Sequence, residues 1–325
     1  MTDVNACDIL YWSNYVKGYE VKMISDTVKK IEKLKLEKNA VILAHYYVKD
    51  EVQAIADYIG DSYYLAKIAK QSTADIIVFC GVSFMGESAK ILNPDKKVLM
   101  PDANADCPMA HMAAKEKIDN MRMKYDDLAV VCYINSTAAL KCLSDVCVTS
   151  SNAVKIVKSL PNKNIFFIPD KNLGSYVAKQ VPEKNIIIND GYCPIHASIS
   201  LREVLSEKEK HIDAEVLSHP ECEREILEVS DFIGSTADII EYVNQSCAEE
   251  FIICTEDGVL YELRTTNPNK KFYFPITRPV CLDMKLITLD KVAEVLEKEI
   301  NSVEISEDVR KGATLPLEKM LELAK

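Results

Sequence analysis

The chain has 325 residues, 48% of them hydrophobic and 27% charged, and carries a formal net charge of −11. This composition is ordinary for a globular protein and excludes collagen, coiled coil and bulk disorder, while the acidic balance argues against a broad contact with nucleic acid or an anionic membrane. At this length two or three compact units are expected, each with its own core.

Met1 to Glu20 shows no basic start followed by an apolar core, and no stretch approaches the ~18 apolar residues of a membrane span. A cytoplasmic chain with no membrane or nucleic-acid partner is expected, and the first twenty residues are assigned no element. The eleven cysteines could suggest a disulfide scaffold. A disulfide scaffold is the property of short secreted chains, so here most are read as small buried thiols, with a few reserved for metal.

In chain order, a helix is expected from Ser25 to Lys38. A buried strand ending in polar residues follows, Val41-Ile-Leu-Ala-His-Tyr-Tyr47, and then the segment Asp57-Tyr-Ile-Gly-Asp-Ser62. A helix from Ser62 to Lys70, a buried strand from Asp75 to Cys80, the strand Lys97-Val-Leu-Met-Pro101 and a loop carrying Cys107 complete the set. A helix from Met109 to Tyr125 then opens a second round: Val130-Val-Cys-Tyr-Ile-Asn135, Asp145-Val-Cys-Val-Thr-Ser150, a helix Ser151 to Leu160, a strand Asn164 to Ile168, Asn185-Ile-Ile-Ile-Asn189 and Cys193. A third round begins with a helix from Ser200 to Lys210. It runs through Glu215-Val-Leu-Ser-His-Pro-Glu221, Asp231-Phe-Ile-Gly-Ser-Thr236, a helix Thr236 to Gln245, a strand Glu250 to Cys254, Lys271-Phe-Tyr-Phe-Pro275 and Cys281. An amphipathic helix near Leu289 to Glu299 and a last helix interrupted at Pro316 close the chain.

The register makes these rounds a triplication. Tyr47, Asn135 and Glu221 step by 88 and 86 residues, as do Ser62, Ser150 and Thr236, whereas Cys107, Cys193 and Cys281 step by 86 and 88. One such triple is coincidence; four in one order imply a repeated unit of about ninety residues. Alternating short apolar strands and helices imply right-handed βαβ units and parallel sheets covered on both faces. The expected fold is therefore α/β: three homologous three-layer α/β/α domains in a pseudo-threefold arrangement around a central active site. Their boundaries are expected at 22–107, 108–193 and 194–283, with a C-terminal helical segment over 284–325.

Ligands of parallel α/β sheets bind outside the carboxyl ends of the strands, so the polar strand ends, the hydroxyl residues and the loop cysteines should meet in one cavity. Three cysteines from three loops can hold three irons of a [4Fe-4S] cluster and leave the fourth open. Taken singly, each would be an unrelated buried thiol; the shared loop position argues otherwise. Zinc is the weaker alternative, because no CxxC pair is present. Ser62, Ser150 and Thr236 stand at strand-to-helix turns, either as simple caps or as an anion-binding ring built on free N–H groups. His45 and Tyr47, Tyr133 and Asn135, and His219 and Glu221 end the first strands, where residues of these types suit proton transfer. Cys80, Cys132, Cys142, Cys147, Cys247 and Cys254 are read as structural thiols. Cys222, His111 and His196 are left without a role.

The stretches AHYY (44–47), GDS (60–62), CGVSFMGESAKILNP (80–94), YINS (133–136), TSSNA (149–153), PDKNLG (169–174), GYCPIH (191–196), HPEC (219–222), GST (234–236), TEDGVLYEL (255–263) and KKFYFP (270–275) together resemble the quinolinate synthase family, from about Val41 to Leu323. The resemblance implies condensation of iminoaspartate with dihydroxyacetone phosphate to quinolinate, phosphate and water for NAD biosynthesis. It implies one [4Fe-4S] cluster on Cys107, Cys193 and Cys281, not on the conspicuous Cys80. It places substrate carboxylates and phosphate on His45, Ser62, Tyr133, Asn135, Ser150, His219, Glu221 and Thr236, with Tyr47, Glu221 and His219 as the acid/base set. A functional coupling to an iminoaspartate-producing enzyme would follow. Some members carry a CxxC pair before the third ligand; Arg278-Pro-Val-Cys281 has none. Another [4Fe-4S] hydro-lyase, or a non-enzymatic Fe–S sensor, are the competing readings.

Overall fold

The computed structural model describes residues 25–325. The expectations for Met1 to Glu20, and for a first repeat beginning at 22, lie outside the described residues. After a helix over 25–37 the chain forms three separate four-stranded sheets. The first contains β1 (Ala40–His45), β2 (Tyr58–Gly60), β3 (Ile76–Cys80) and β4 (Lys97–Leu99), in the order β2-β1-β3-β4. The second contains β5 (Leu128–Tyr133), β6 (Val146–Val148), β7 (Asn164–Ile168) and β8 (Asn185–Ile188), ordered β6-β5-β7-β8. The third contains β9 (Glu215–Ser218), β10 (Phe232–Ile233), β11 (Glu250–Cys254) and β12 (Lys271–Tyr273), ordered β10-β9-β11-β12. Every pairing is parallel. The central strands are buried along almost their whole length, as strands covered on both faces by helices must be.

The triplication reaches individual hydrogen bonds. Asp57, Asp145 and Asp231 each accept from the backbone N–H of the neighbouring first strand, at Ile42 (2.8 Å), Val130 (2.7 Å) and Val216 (2.8 Å). Each also donates its own N–H back to the carbonyl of that same residue at 2.9 Å. A carboxylate so placed pins the crossover strand to its neighbour, which is why this aspartate recurs in step. Lys96, Lys184 and Lys270 likewise each donate to backbone carbonyls at the end of the helix before the third strand of their repeat, at Ser72, Leu160 and Val243.

One continuous core joins the first two repeats with the C-terminal helices, through residues such as Phe79, Phe166, Val292 and Leu317. The third repeat has two cores of its own, one around Phe251 and Ile239, the other around Val204 and Ile252. Segment 301–303 lies along β4, bonding Met100 and Val98, and so covers the edge of the first sheet.

Three local expectations are corrected. The last helix runs unbroken from Glu307 to Leu323 with Pro316 inside it. Proline removes only one donor there, and burial of Ala313, Leu317 and Met320 outweighs that loss. The expected helix 109–125 is two pieces, a 3-10 turn Pro108–His111 and a helix Lys115–Lys124. Cys247 is exposed, while Cys80, Cys132, Cys147 and Cys254 are buried. No helix among the described residues is long and apolar enough to cross a membrane.

Candidate active site

The carboxyl ends of the three sheets open on one cavity of about 120 Å³, far more than the ~10–15 Å³ that a water needs, so it suits a small molecule. Its wall includes His45, Tyr47, Ser62, Tyr133, Asn135, Ser150, His219, Glu221, Thr236, Cys107, Cys193 and Cys281, the twelve side chains singled out from the sequence.

The hydroxyl residues do not cap their helices. Asp61 caps the helix Ser62–Gln71 by accepting from Tyr64 N–H, and Ser235 caps Thr236–Gln245 in a reciprocal box with Asp238. Helix Ala153–Ser159 begins after Asn152. With the capping done one residue earlier, the side chains of Ser62 and Thr236 are free to face the cavity, beside helix N-termini that favour anions.

The ends of the first strands repeat a small turn. Tyr47 N–H donates to His45 Nδ1 (3.2 Å), and Glu221 N–H donates to His219 Nδ1 (3.3 Å). Burial pushes both imidazoles down to about 3, so both are neutral. Because Nδ1 accepts in each, the proton resides on Nε2, and each ring offers an N–H donor without a charge.

Glu221 is 3% exposed and sits between two partners: Tyr133 Oη donates at 2.5 Å, and His196 Nδ1 lies 2.7 Å away. Burial opposes its charge, but the hydrogen bonds from His196 and Tyr133 hold its carboxyl well below the usual carboxylate range. Tyr47 Oη lies 2.6 Å from Thr236 Oγ1 and 2.8 Å from Thr255 Oγ1, and burial pushes its phenol well above the usual range. The Tyr47 backbone is fixed by Gly258, where a Cβ would come within 2.7 Å of both Tyr47 Cα and Tyr46 O. Lys285 adds a bond to the Tyr47 carbonyl at 2.8 Å.

Each loop cysteine is the residue before a single helical turn: Cys107 before Pro108–His111, Cys193 before Pro194–Ala197 and Cys281 before Leu282–Lys285. Backbone N–H groups of these turns, at Met109 and Ala110, at His196, and at Asp283 and Met284, point at the three sulfurs. Burial pushes all three thiols up, and these donors oppose it by favouring the thiolate, the form that binds metal. Cys193, His196 and Glu221 also bring three ligand atoms within 4.8 Å of one another, a set able to hold a metal ion.

The sequence reading missed Asp170 and Glu256, which tie down two of those loops: Asp170 accepts from Cys193 N–H (3.1 Å) and Glu256 from Cys281 N–H (2.9 Å). A signal existed, since Val82, Asp170 and Glu256 keep the 88 and 86 spacing. It was hidden because the first member is apolar. Of the residues left without a role, His196 is in the site, Cys222 is buried and donates to Cys254 O (3.2 Å), and His111 pairs with Asp106 (2.7 Å) near the rim.

Comparison with known proteins agrees with this cavity. The family model described as "NadA: Quinolinate synthetase A protein" matches residues 29–322. A quinolinate synthase of Fusobacterium nucleatum subsp. nucleatum is 55% identical over 301 residues, 93% of this chain and 99% of that protein. One of Caldicellulosiruptor saccharolyticus is 53% identical over 296 residues, covering 91% and 98%, and one of Clostridioides difficile is 49% identical over 302 residues, covering 93% and 99%. With a match that spans all three sheets, the chain belongs to the quinolinate synthetase A family, enzymes of NAD biosynthesis.

Proposed function

We propose that this chain condenses iminoaspartate with dihydroxyacetone phosphate to give quinolinate, phosphate and water, in the cytoplasm, with a [4Fe-4S] cluster on Cys107, Cys193 and Cys281. The observation that carries the reading is that acid/base, anion-binding and thiol groups from three distant repeats line one cavity. We further propose the domain division 22–107, 108–193, 194–283 and 284–325, and a functional coupling to an enzyme that produces iminoaspartate.

The donor set fits the cluster. Among the described residues, the sulfurs of Cys107, Cys193 and Cys281 do not all lie within 4.8 Å of one another, so at least one pair stands wider than the roughly 3.8 Å that tetrahedral Zn–S bonds of ~2.3 Å would set. A cubane needs that greater width. When bound, the cluster supplies a Lewis-acidic iron for the loss of hydroxide as water.

The chain's own residues supply the rest. Ser62, Ser150, Thr236 and the adjoining helix N–H groups cradle phosphate and carboxylate in a protein whose net charge would repel them. The Nε2–H groups of His45 and His219 add neutral donors. Asn135 Oδ1 is buried without a partner, an acceptor awaiting a ligand N–H or O–H. Tyr47 holds a proton at the cavity wall, suited to ketose-to-aldose isomerisation, and the Glu221 carboxylate is the base for the later proton transfers.

Ser150→Ala is expected to raise the dissociation constant for dihydroxyacetone phosphate by roughly tenfold to a hundredfold, because a hydrogen bond to a charged group contributes about 1.5–3 kcal/mol. Titration calorimetry on the anaerobic enzyme measures it; unchanged affinity removes Ser150 from the cradle. The reaction itself is tested by assaying quinolinate from the two substrates with enzyme purified without oxygen. Failure to form it in cluster-replete protein would end the reading.

A further inference from the structure

We infer that Gln53 is a positioning residue for Tyr47: its side-chain amide grips the turn that carries the tyrosine and ties that turn to the third repeat. The inference rests on the proposed acid/base role of Tyr47. Gln53 ends the short helix Asp50–Gln53, is 1% exposed and is not on the cavity wall, so it reaches substrate only through its neighbours. Its Nε2 donates to Tyr46 O at 2.8 Å, to Val48 O at 2.9 Å and to Gly258 O at 3.0 Å. Three carbonyls at one end of the amide admit only the NH2 group there, since the flipped amide would set Oε1 against all three. Oε1 has no partner among the described residues, so the amide is held by its donors alone.

Two of those carbonyls flank Tyr47 in the chain, and the carbonyl of Tyr47 itself is held by Lys285. The N–H groups are committed as well, Tyr46 to Gly60 O (3.3 Å), Tyr47 to His45 Nδ1 (3.2 Å) and Val48 to His45 O (3.2 Å). Every backbone donor and acceptor over 46–48 is therefore bonded, and the main chain that carries the phenol has one conformation available. The third carbonyl lies on the other side of the cavity. Gly258 belongs to the third repeat, as do Thr236 and Thr255, whose hydroxyls lie 2.6 and 2.8 Å from Tyr47 Oη. Glu221 stands on the same repeat. One nitrogen thus fixes the main chain of Tyr47 against the unit that carries its hydroxyl partners and the proposed base, and the spacing of the two proton-transfer residues follows from it.

The other repeats show what the fold itself requires at this register. Gln53, Lys141 and Leu227 are 88 and 86 residues apart, and so are Phe84, Asn172 and Gly258. Lys141 Nζ donates to Phe84 O at 3.2 Å, which is the contact of Gln53 with Gly258 repeated between the second and first repeats. Its second bond goes to Ser88 Oγ at 2.9 Å, farther into the first repeat. Leu227 has no donor, and at that interface Asn172 of the second repeat reaches Glu221 O at 3.0 Å instead. Joining two repeats therefore does not need an amide at this position. A buried amide grips the strand-end turn at the two interfaces where that turn carries Tyr47 or Glu221, and lysine suffices where it carries Asn135.

The test uses the two residues that the chain itself places at this register, Gln53→Leu, which removes the donors, and Gln53→Lys, which keeps them, in anaerobically purified enzyme making quinolinate from iminoaspartate and dihydroxyacetone phosphate. Gln53→Leu is expected to lower kcat by about 10²-fold, the scale of a reacting group displaced by ~1 Å. KM for both substrates should stay within about threefold, because the anion cradle is untouched, and iron and sulfide content should not change. Gln53→Lys should stay within about tenfold of wild-type kcat, since its ammonium can still donate to the three carbonyls. In the Tyr47→Phe background, Gln53→Leu should change kcat by less than about threefold, because its effect passes through the missing hydroxyl. Wild-type kcat in Gln53→Leu, a lysine variant as slow as the leucine variant, a rise in KM in place of the loss in kcat, or a large further loss in the Tyr47→Phe background would each overturn the inference. Gln53→Met, unbranched and close to glutamine in length, carries the same expectations if the leucine variant does not fold. Wild-type turnover in Tyr47→Phe alone would instead bring down the acid/base reading of Tyr47, and this inference with it; a slow Tyr47→Phe beside a normal Gln53→Leu brings down only the inference.

Discussion

Cys107→Ser, purified without oxygen, is expected to lose the brown chromophore, most of its iron and sulfide, and its quinolinate synthesis, whereas Cys80→Ser keeps all three. Cys80 ends β3 in the core of the first repeat, fully buried, and burial alone pushes its thiol upward. Burial pushes the Cys107 thiol up as well, but Cys107 opens a helical turn on the cavity wall, with N–H groups aimed at its sulfur that favour the thiolate. Serine is nearly isosteric with cysteine but a poor replacement for a soft thiolate on iron. Cys80→Ser should show at most about 1–3 kcal/mol of destabilisation from a buried hydroxyl. Iron and sulfide analysis decides the matter: a full cluster in Cys107→Ser, with its loss in Cys80→Ser, would reverse the ligand assignment.

Tyr47→Phe and Glu221→Gln are expected to keep the cluster yet lower kcat by about 10²–10⁴-fold, the usual contribution of a positioned acid or base. Tyr47→Phe leaves Thr236 and Thr255 without the oxygen that joined them. Glu221→Gln goes further, because an amide has one acceptor where the carboxylate served both Tyr133 and His196, and its NH2 group must face one of those donors. The glutamine variant should therefore be the slower of the two and should also melt lower. Steady-state kinetics beside iron analysis measures both effects. Turnover near wild type in both variants would take these residues out of the mechanism.

The architecture was legible because parallel sheets impose a periodic demand on sequence. Asp57, Asp145 and Asp231 recur because each pins a crossover strand, and such repeats survive wherever the backbone needs the same bond. The gathering of twelve side chains into one cavity was legible for the same reason. What register could not reveal was asymmetry. Asp170 and Glu256 have an apolar partner, Val82, and Thr255 has a glycine and a proline as its counterparts, so none stood out against the repeat. The helix caps were misread by one residue, since a hydroxyl beside Asp61 or after Ser235 is indistinguishable from a cap until side-chain direction is known. Pro316 misled because proline's local penalty is visible in a sequence, whereas the burial that outweighs it is not.

The separate cores of the third repeat divide the molecule's stability unequally from its activity. The first two repeats and the C-terminal helices share one core, but Phe251, Ile239, Val204 and Ile252 belong to smaller clusters of their own. Smaller clusters exclude less apolar surface from water, so this unit should open at a lower free energy than the remainder. Amides of β11 are accordingly expected to exchange with deuterium sooner than those of the corresponding β7; equal protection would mean that the chain opens as one cooperative body. Glu221, His219 and Thr236 all ride on the third repeat, while Tyr47 and Tyr133 stay behind on the others. On warming, the enzyme should therefore fall silent while most of its chain is still folded, and regain activity on cooling by redocking a single lobe rather than by refolding the whole.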